Sequence, residues 1–145
     1  MEIYTIGFTK KSAEEFFTIL KKTGIKRLID VRLHNQSQLA GFTKQDDLKY
    51  FLRELCGVEY QHEPRLAPTE DILEDYRHKK IDWEEYRHRF LHVLGERDIT
   101  GFLSRQCFEV PTVLLCSEPE ADHCHRRLVA EHLQRLWGDV VIQHL

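Results

Sequence analysis

The stretch from Pro111 to Trp137 constrains this chain more than any other. Pro111–Cys116 is an apolar run of strand length. A short acidic turn follows, and from about Asp122 apolar residues recur at helical spacing as far as Trp137. A buried strand that feeds straight into a helix belongs to a parallel sheet with helices packed on it. Cys116, Glu118, His123, Cys124, His125, Arg126 and Arg127 all crowd into the junction. In open α/β folds ligands gather there, because strand C-termini and helix N-termini face one crevice.

The rest of the chain reads in the same way. Glu2–Ile6 forms a first strand with Gly7 opening its turn, and Ser12-Ala-Glu-Glu15 is a capping box. Phe16, Phe17, Ile19 and Leu20 make the buried stripe of a helix that Gly24 closes. Arg27–Val31 is the second strand, parallel to the first. Thr43 begins a helix with Leu48, Phe51, Leu52 and Leu55 inward, ended by Gly57, and Val58–Tyr60 is a short strand. Thr69 and the capping box Asp82-Trp-Glu-Glu85 start two more helices, with Gly95 breaking or bending the second. Asp139–His144 is the last strand. The expected fold is one α/β domain over residues 1–145: a three-layer, Rossmann-like open sheet of four or five mostly parallel strands. Helices cover both faces, with a helical excursion in the middle.

Composition narrows the function classes. A net charge of -3 disfavours a general nucleic-acid coat but leaves room for a local basic pocket. The longest apolar runs, of about six residues, are too short to span a bilayer. Met1-Glu-Ile-Tyr4 lacks the features of a secretory leader, so a cytoplasmic location is expected. Four irregularly spaced cysteines, Cys56, Cys107, Cys116 and Cys124, do not make a disulfide framework and read as reduced thiols.

On a helical wheel for the last helix, Val129, Leu133, Leu136 and Trp137 define the buried face, and His125 and Arg126 lean towards it. A buried arginine needs an anionic partner. Asp30 or Glu118 would supply an internal ion pair, and a bound anion would supply a ligand site. Asp30 and Arg32 project from one face of the second strand. Cys116, at a strand end beside His125 and Arg126, is either a thiol with a lowered pKa or a small buried hydrophobe. The wheel turns Cys124 away from the core. Cys116, His123, Cys124 and His125 could together bind a metal, but adjacent Cys124 and His125 would point about 100° apart on a helix, so no metal is expected. Tyr60 and His62 border the same crevice. Thr5, Gly7 and Thr9 could offer backbone amides to an anion, and His144 also stands at a strand end.

Thr5-Ile-Gly-Phe-Thr9, Asp30-Val-Arg32 with Ser37, Tyr60 with His62, Leu66, and Cys116-Ser-Glu118 followed by Cys124-His-Arg126 together resemble the pattern of the domain of unknown function 488 family. The resemblance runs from Ile3 to about His144, and the last block is its most specific part. This chain departs from the pattern at Leu33–Ser37, where a proline usually precedes the serine, at Gln38, where arginine is common, and at Leu66-Ala-Pro, where the family has Leu-Gly-Gly. The resemblance implies a small α/β domain of bacteria and archaea and supplies no reaction.

The expected function is a pocket at the strand C-termini for a small anionic ligand, phosphate-bearing or nucleotide-like, with no organic cofactor. Arg32 and Arg126 would hold the anion, with Thr5, Gly7 and Tyr60 beside it. Asp30 and Glu118 would orient the arginines or move protons, and Cys116, tuned by His125, would be the reactive group. A non-catalytic nucleotide or nucleic-acid binding module and a Cys/His metal site are the alternatives.

Overall fold

The computed structural model describes residues 1–36, 41–118 and 121–145. Ser37 and Gln38, named in the family pattern, lie outside the described residues. Five strands form one all-parallel sheet: β1 (Glu2–Gly7), β2 (Arg27–Asp30), β3 (Glu59–His62), β4 (Thr112–Cys116) and β5 (Val141–His144), in the order β3-β2-β4-β1-β5. The helices are α1 (Ala13–Thr23), α2 (Gln45–Phe51), α3 (Glu70–Arg77), α4 (Trp83–Glu96) and α5 (His125–Trp137). Short 3-10 turns at Ile99–Gly101 and Arg105–Phe108 complete the excursion between β3 and β4.

Both faces of the sheet are covered, as its apolar strands require. Tyr4, Ile6, Leu28, Val113 and Leu115 pack against Phe16, Phe17 and Leu20 of α1 and Leu48 of α2. On the other face Ile3, Ile29, Leu114 and Cys116 meet Phe90 of α4 and Leu128, Val129 and Leu133 of α5. The N-cap bond of each capping box forms: Ser12 Oγ accepts from the Glu15 amide at 3.1 Å and Asp82 Oδ1 from that of Glu85 at 2.9 Å. Gly24 closes α1 with φ 77°, a left-handed conformation that glycine adopts without a Cβ penalty.

Four local expectations are corrected. Gly95 does not interrupt α4, which continues to Glu96. Leu55 is exposed rather than inward, because Leu52–Cys56 form a wide π-turn that takes it off the face Leu48 and Leu52 bury. Leu136 is also exposed, the buried stripe of α5 being Leu128, Val129, Ala130 and Leu133. Cys124 lies in the core, not away from it, because α5 begins at His125. Cys124 is an extended N-cap residue (φ −130°, ψ 141°) to which wheel geometry does not apply.

The strand order fixes where a ligand can sit. β2 and β4 are neighbours. The chain leaves β2 for β3 at one edge, through α2 on one face. It leaves β4 for β5 at the opposite edge, through α5 on the other. The connections diverge at this pair, so a crevice opens outside the C-terminal ends of β2 and β4.

Candidate functional site

Asp30, the last residue of β2, is fully buried, and its carboxylate is saturated. Arg32 donates from Nε to Oδ1 (2.8 Å) and from Nη2 to Oδ2 (2.7 Å), the two-point geometry that a planar guanidinium and a carboxylate share. The Arg32 amide adds a bond to Oδ1 (3.1 Å), and the Tyr60 hydroxyl donates to Oδ2 (2.6 Å). Asn35 Nδ2 donates to that hydroxyl (3.1 Å). Burial, with Asp30's negative charge beside it, raises the Tyr60 pKa well above the ordinary phenol value, so Tyr60 stays a donor. Arg32 Nη2 also reaches the Thr43 carbonyl, and His62 Nε2 donates to the Arg32 carbonyl, both at 2.8 Å. The ion pair that holds Asp30 is thus with Arg32.

Arg126 is the largest fully buried side chain. It ties β1 to the end of β4 and the turn that follows it. Nε donates to Thr5 Oγ1 (3.2 Å), and Nη1 donates to the Glu118 backbone carbonyl and lies 3.5 Å from Cys116 Sγ. Thr5 Oγ1 also shares a hydrogen bond with His144 Nδ1, 2.6 Å away. Glu118 therefore meets Arg126 through its backbone, and its side chain is exposed. Gly7 permits this approach: a Cβ there would stand 1.6 Å from the Glu118 carbonyl oxygen and 2.9 Å from Arg126 Nη1. The Thr9 amide is taken by the Ser117 carbonyl (3.0 Å), which pins the β1 turn to the β4 turn.

His125 joins the two clusters. Its Nε2 donates to the Val31 carbonyl (2.7 Å), and Phe90 packs edge-on against the ring at 5.8 Å. Burial pushes its pKa down to about 4, with the Arg126 charge acting in the same direction, so the ring is neutral near pH 7. Cys116 and Cys124 are bonded to each other, while Cys56 and Cys107 are free. The expectation of four reduced thiols is corrected at that pair. The turn before α5 folds back on β4 and brings residues eight positions apart into contact.

In front of these groups opens a cavity of about 740 Å³, within the size range of small-molecule sites. Lys10, Lys11, Arg32, His34 and His125 line it, and none of its described lining residues is acidic. Phe8, Phe42, Leu33 and Leu73 supply apolar wall, and the Arg32 guanidinium lies over the Phe8 ring at 5.2 Å. Asp30 pairs with Arg32, and Lys10 and Lys11 add two further basic side chains to the wall. Lys10 has φ 66°, a left-handed conformation unusual for a residue with a Cβ.

Of the residues singled out in the sequence as candidate ligand contacts, Thr9, Arg32 and His125 line the cavity. Asp30, Thr5, Cys116 and Arg126 are buried around it, Tyr60 is bound to Asp30, and Gly7 gives passage to the Glu118 segment. Lys10, Lys11, Phe8 and Phe42 went unnoticed. Their signal was a lysine pair placed directly before the Ser12 capping box, in the first strand-to-helix turn.

Fold and site define an open, all-parallel α/β protein with a crevice, lined by basic and apolar side chains, where its strand connections diverge. The chain belongs to the family described as domain of unknown function DUF488, whose model matches residues 12–133. No curated protein and no solved structure matches it significantly. Among the described residues, no helix is long and apolar enough to cross a membrane.

Proposed function

We propose that this protein binds a small phosphate-bearing, nucleotide-like anion in the cavity outside β2 and β4. The observation that carries this reading is the composition of the wall: Lys10, Lys11, Arg32, His34 and His125, with no carboxylate among its described lining residues, alongside the rings of Phe8 and Phe42. Lys10, Lys11 and Arg32 suit phosphate oxygens, and the rings offer a stacking surface for a base. Arg32, held in a fixed plane by Asp30, presents its outer edge to the ligand. Arg126 acts indirectly, by fixing the Ser117–Glu118 turn beside the cavity.

Isothermal titration with inorganic pyrophosphate and with ADP tests the reading. ADP is expected to bind more tightly than pyrophosphate, and both should weaken as salt is raised. Lys11→Ala should weaken both about tenfold or more, the scale of one hydrogen bond to a charged group. Absence of heat for both ligands at low salt, or binding indifferent to Lys11→Ala, would contradict it.

Lys10→Gly separates fold from binding. Glycine adopts the left-handed turn without penalty, so this variant should be as stable as the parent or up to about 1 kcal/mol more stable. It should nonetheless lose affinity for pyrophosphate, because the ammonium is gone. Thermal melting and titration on the same sample check both halves.

A further inference from the structure

Cys116, Cys124 and His125 form a cluster of metal-ligating side chains beside the cavity wall, to which His125 also belongs. Their ligand atoms, two sulfurs and a ring nitrogen, all lie within 4.8 Å of one another, and all three side chains are buried. The objection that adjacent Cys124 and His125 diverge on a helix does not hold here. Cys124 is extended and precedes the helix, so its sulfur swings to the same side as the His125 ring.

We infer that, with both thiols reduced, Cys116, Cys124 and His125 bind a zinc-like divalent cation. Two thiolates and an imidazole are ligands that zinc prefers, and three protein ligands leave a fourth tetrahedral position for water. The surroundings fit that role. Donation of Nε2–H to the Val31 carbonyl leaves Nδ1 with the lone pair a metal needs, and such outer hydrogen bonds orient ligating histidines. Arg126 Nη1, 3.5 Å from Cys116 Sγ, is placed to donate to a metal-bound thiolate. The Cα atoms of the two cysteines stand 7.4 Å apart. Most disulfides span roughly 4.4–6.8 Å between Cα atoms. Two sulfurs at about 2.3 Å from a shared ion accommodate the wider spacing. The site shares His125 with the cavity wall but uses neither Lys10 nor Lys11, so the metal and anion readings can fail separately.

Cobalt substitution under anaerobic conditions tests the inference. Excess dithiothreitol opens the Cys116–Cys124 bond, giving up two electrons and two protons and closing to its own cyclic disulfide. The reductant is then removed, four thiols per chain are verified, and Co²⁺ is added. One Co²⁺ per chain should bind, with the near-ultraviolet band of thiolate-to-cobalt charge transfer, and zinc should displace it. The band should persist in Cys56→Ala/Cys107→Ala, which lacks the other two thiols. Cobalt affinity should fall at least tenfold in His125→Ala, checked for folding by circular dichroism. Four verified thiols without such a band would overturn the inference, and so would a band lost in Cys56→Ala/Cys107→Ala but kept in Cys124→Ala. Absence of the band in the unsubstituted protein is decisive by itself, so a variant that fails to fold does not block the test.

Discussion

Asp30→Ala is expected to lower unfolding stability by about 3–5 kcal/mol, the cost of removing one member of a buried ion pair. The loss is large because Asp30 accepts from the Nε, Nη2 and backbone amide of Arg32 and from the Tyr60 hydroxyl. Without the carboxylate, a guanidinium only 6% exposed is left in the core with the Thr43 carbonyl as its remaining described side-chain acceptor. Domains of this size have about 5–15 kcal/mol in total, so the variant should sit near the edge of folding at 37 °C. Tyr60→Phe removes one hydroxyl from the same network and should cost only about 1 kcal/mol. Urea denaturation of the three proteins measures the difference. Equal midpoints for Asp30→Ala and the parent would mean that Arg32 finds another anion and that the pair does not hold the end of β2.

Gly7→Ala should be nearly as damaging, for a steric reason. The new methyl would stand 1.6 Å from the Glu118 carbonyl oxygen, and since that neighbour is backbone, it cannot rotate away. The Ser117–Glu118 turn would have to lift, breaking the Arg126 bond to the carbonyl and the Thr9–Ser117 bond together. Overpacking costs about 1–3 kcal/mol where side chains can yield, so a loss of about 3 kcal/mol or more is expected where backbone must move. Thermal denaturation gives the size. Anion titration of the folded fraction tells whether the displaced turn also spoils the cavity, as it should, because Ser117 lines it.

What could be read without coordinates was local. Ser12 with Glu15, Asp82 with Glu85, and Gly24 each announce an end of a helix through a hydrogen bond or a dihedral that neighbouring residues decide. The convergence of Asp30, Arg32, His125 and Arg126 at one end of the sheet was also legible, because parallel strands present their C-termini together. The strand order was not. β4 enters between β1 and β2, and a pairing across some eighty residues leaves no trace in local periodicity. The start of α5 was misplaced because the turn before it is held by distant partners: Gly7 beneath Glu118, and Arg126 and Thr9 on its carbonyls. That error propagated to Cys124, whose burial and contact with Cys116 both follow from its extended backbone. Lys10 and Lys11 escaped because charged residues in a turn look like ordinary solvated surface until the opposite wall is known.

The most direct test is the position of a bound anion in solution. With uniformly ¹⁵N-labelled protein, added pyrophosphate should shift the backbone amides of Lys10, Lys11 and Ser117 and the side-chain Nε–H of Arg32, all at the cavity between the β1 and β4 turns. Shifts centred instead on the exposed side of α4, around Glu85 to His92, or no shifts at saturating pyrophosphate, would contradict the assignment of the crevice outside β2 and β4 as an anion site.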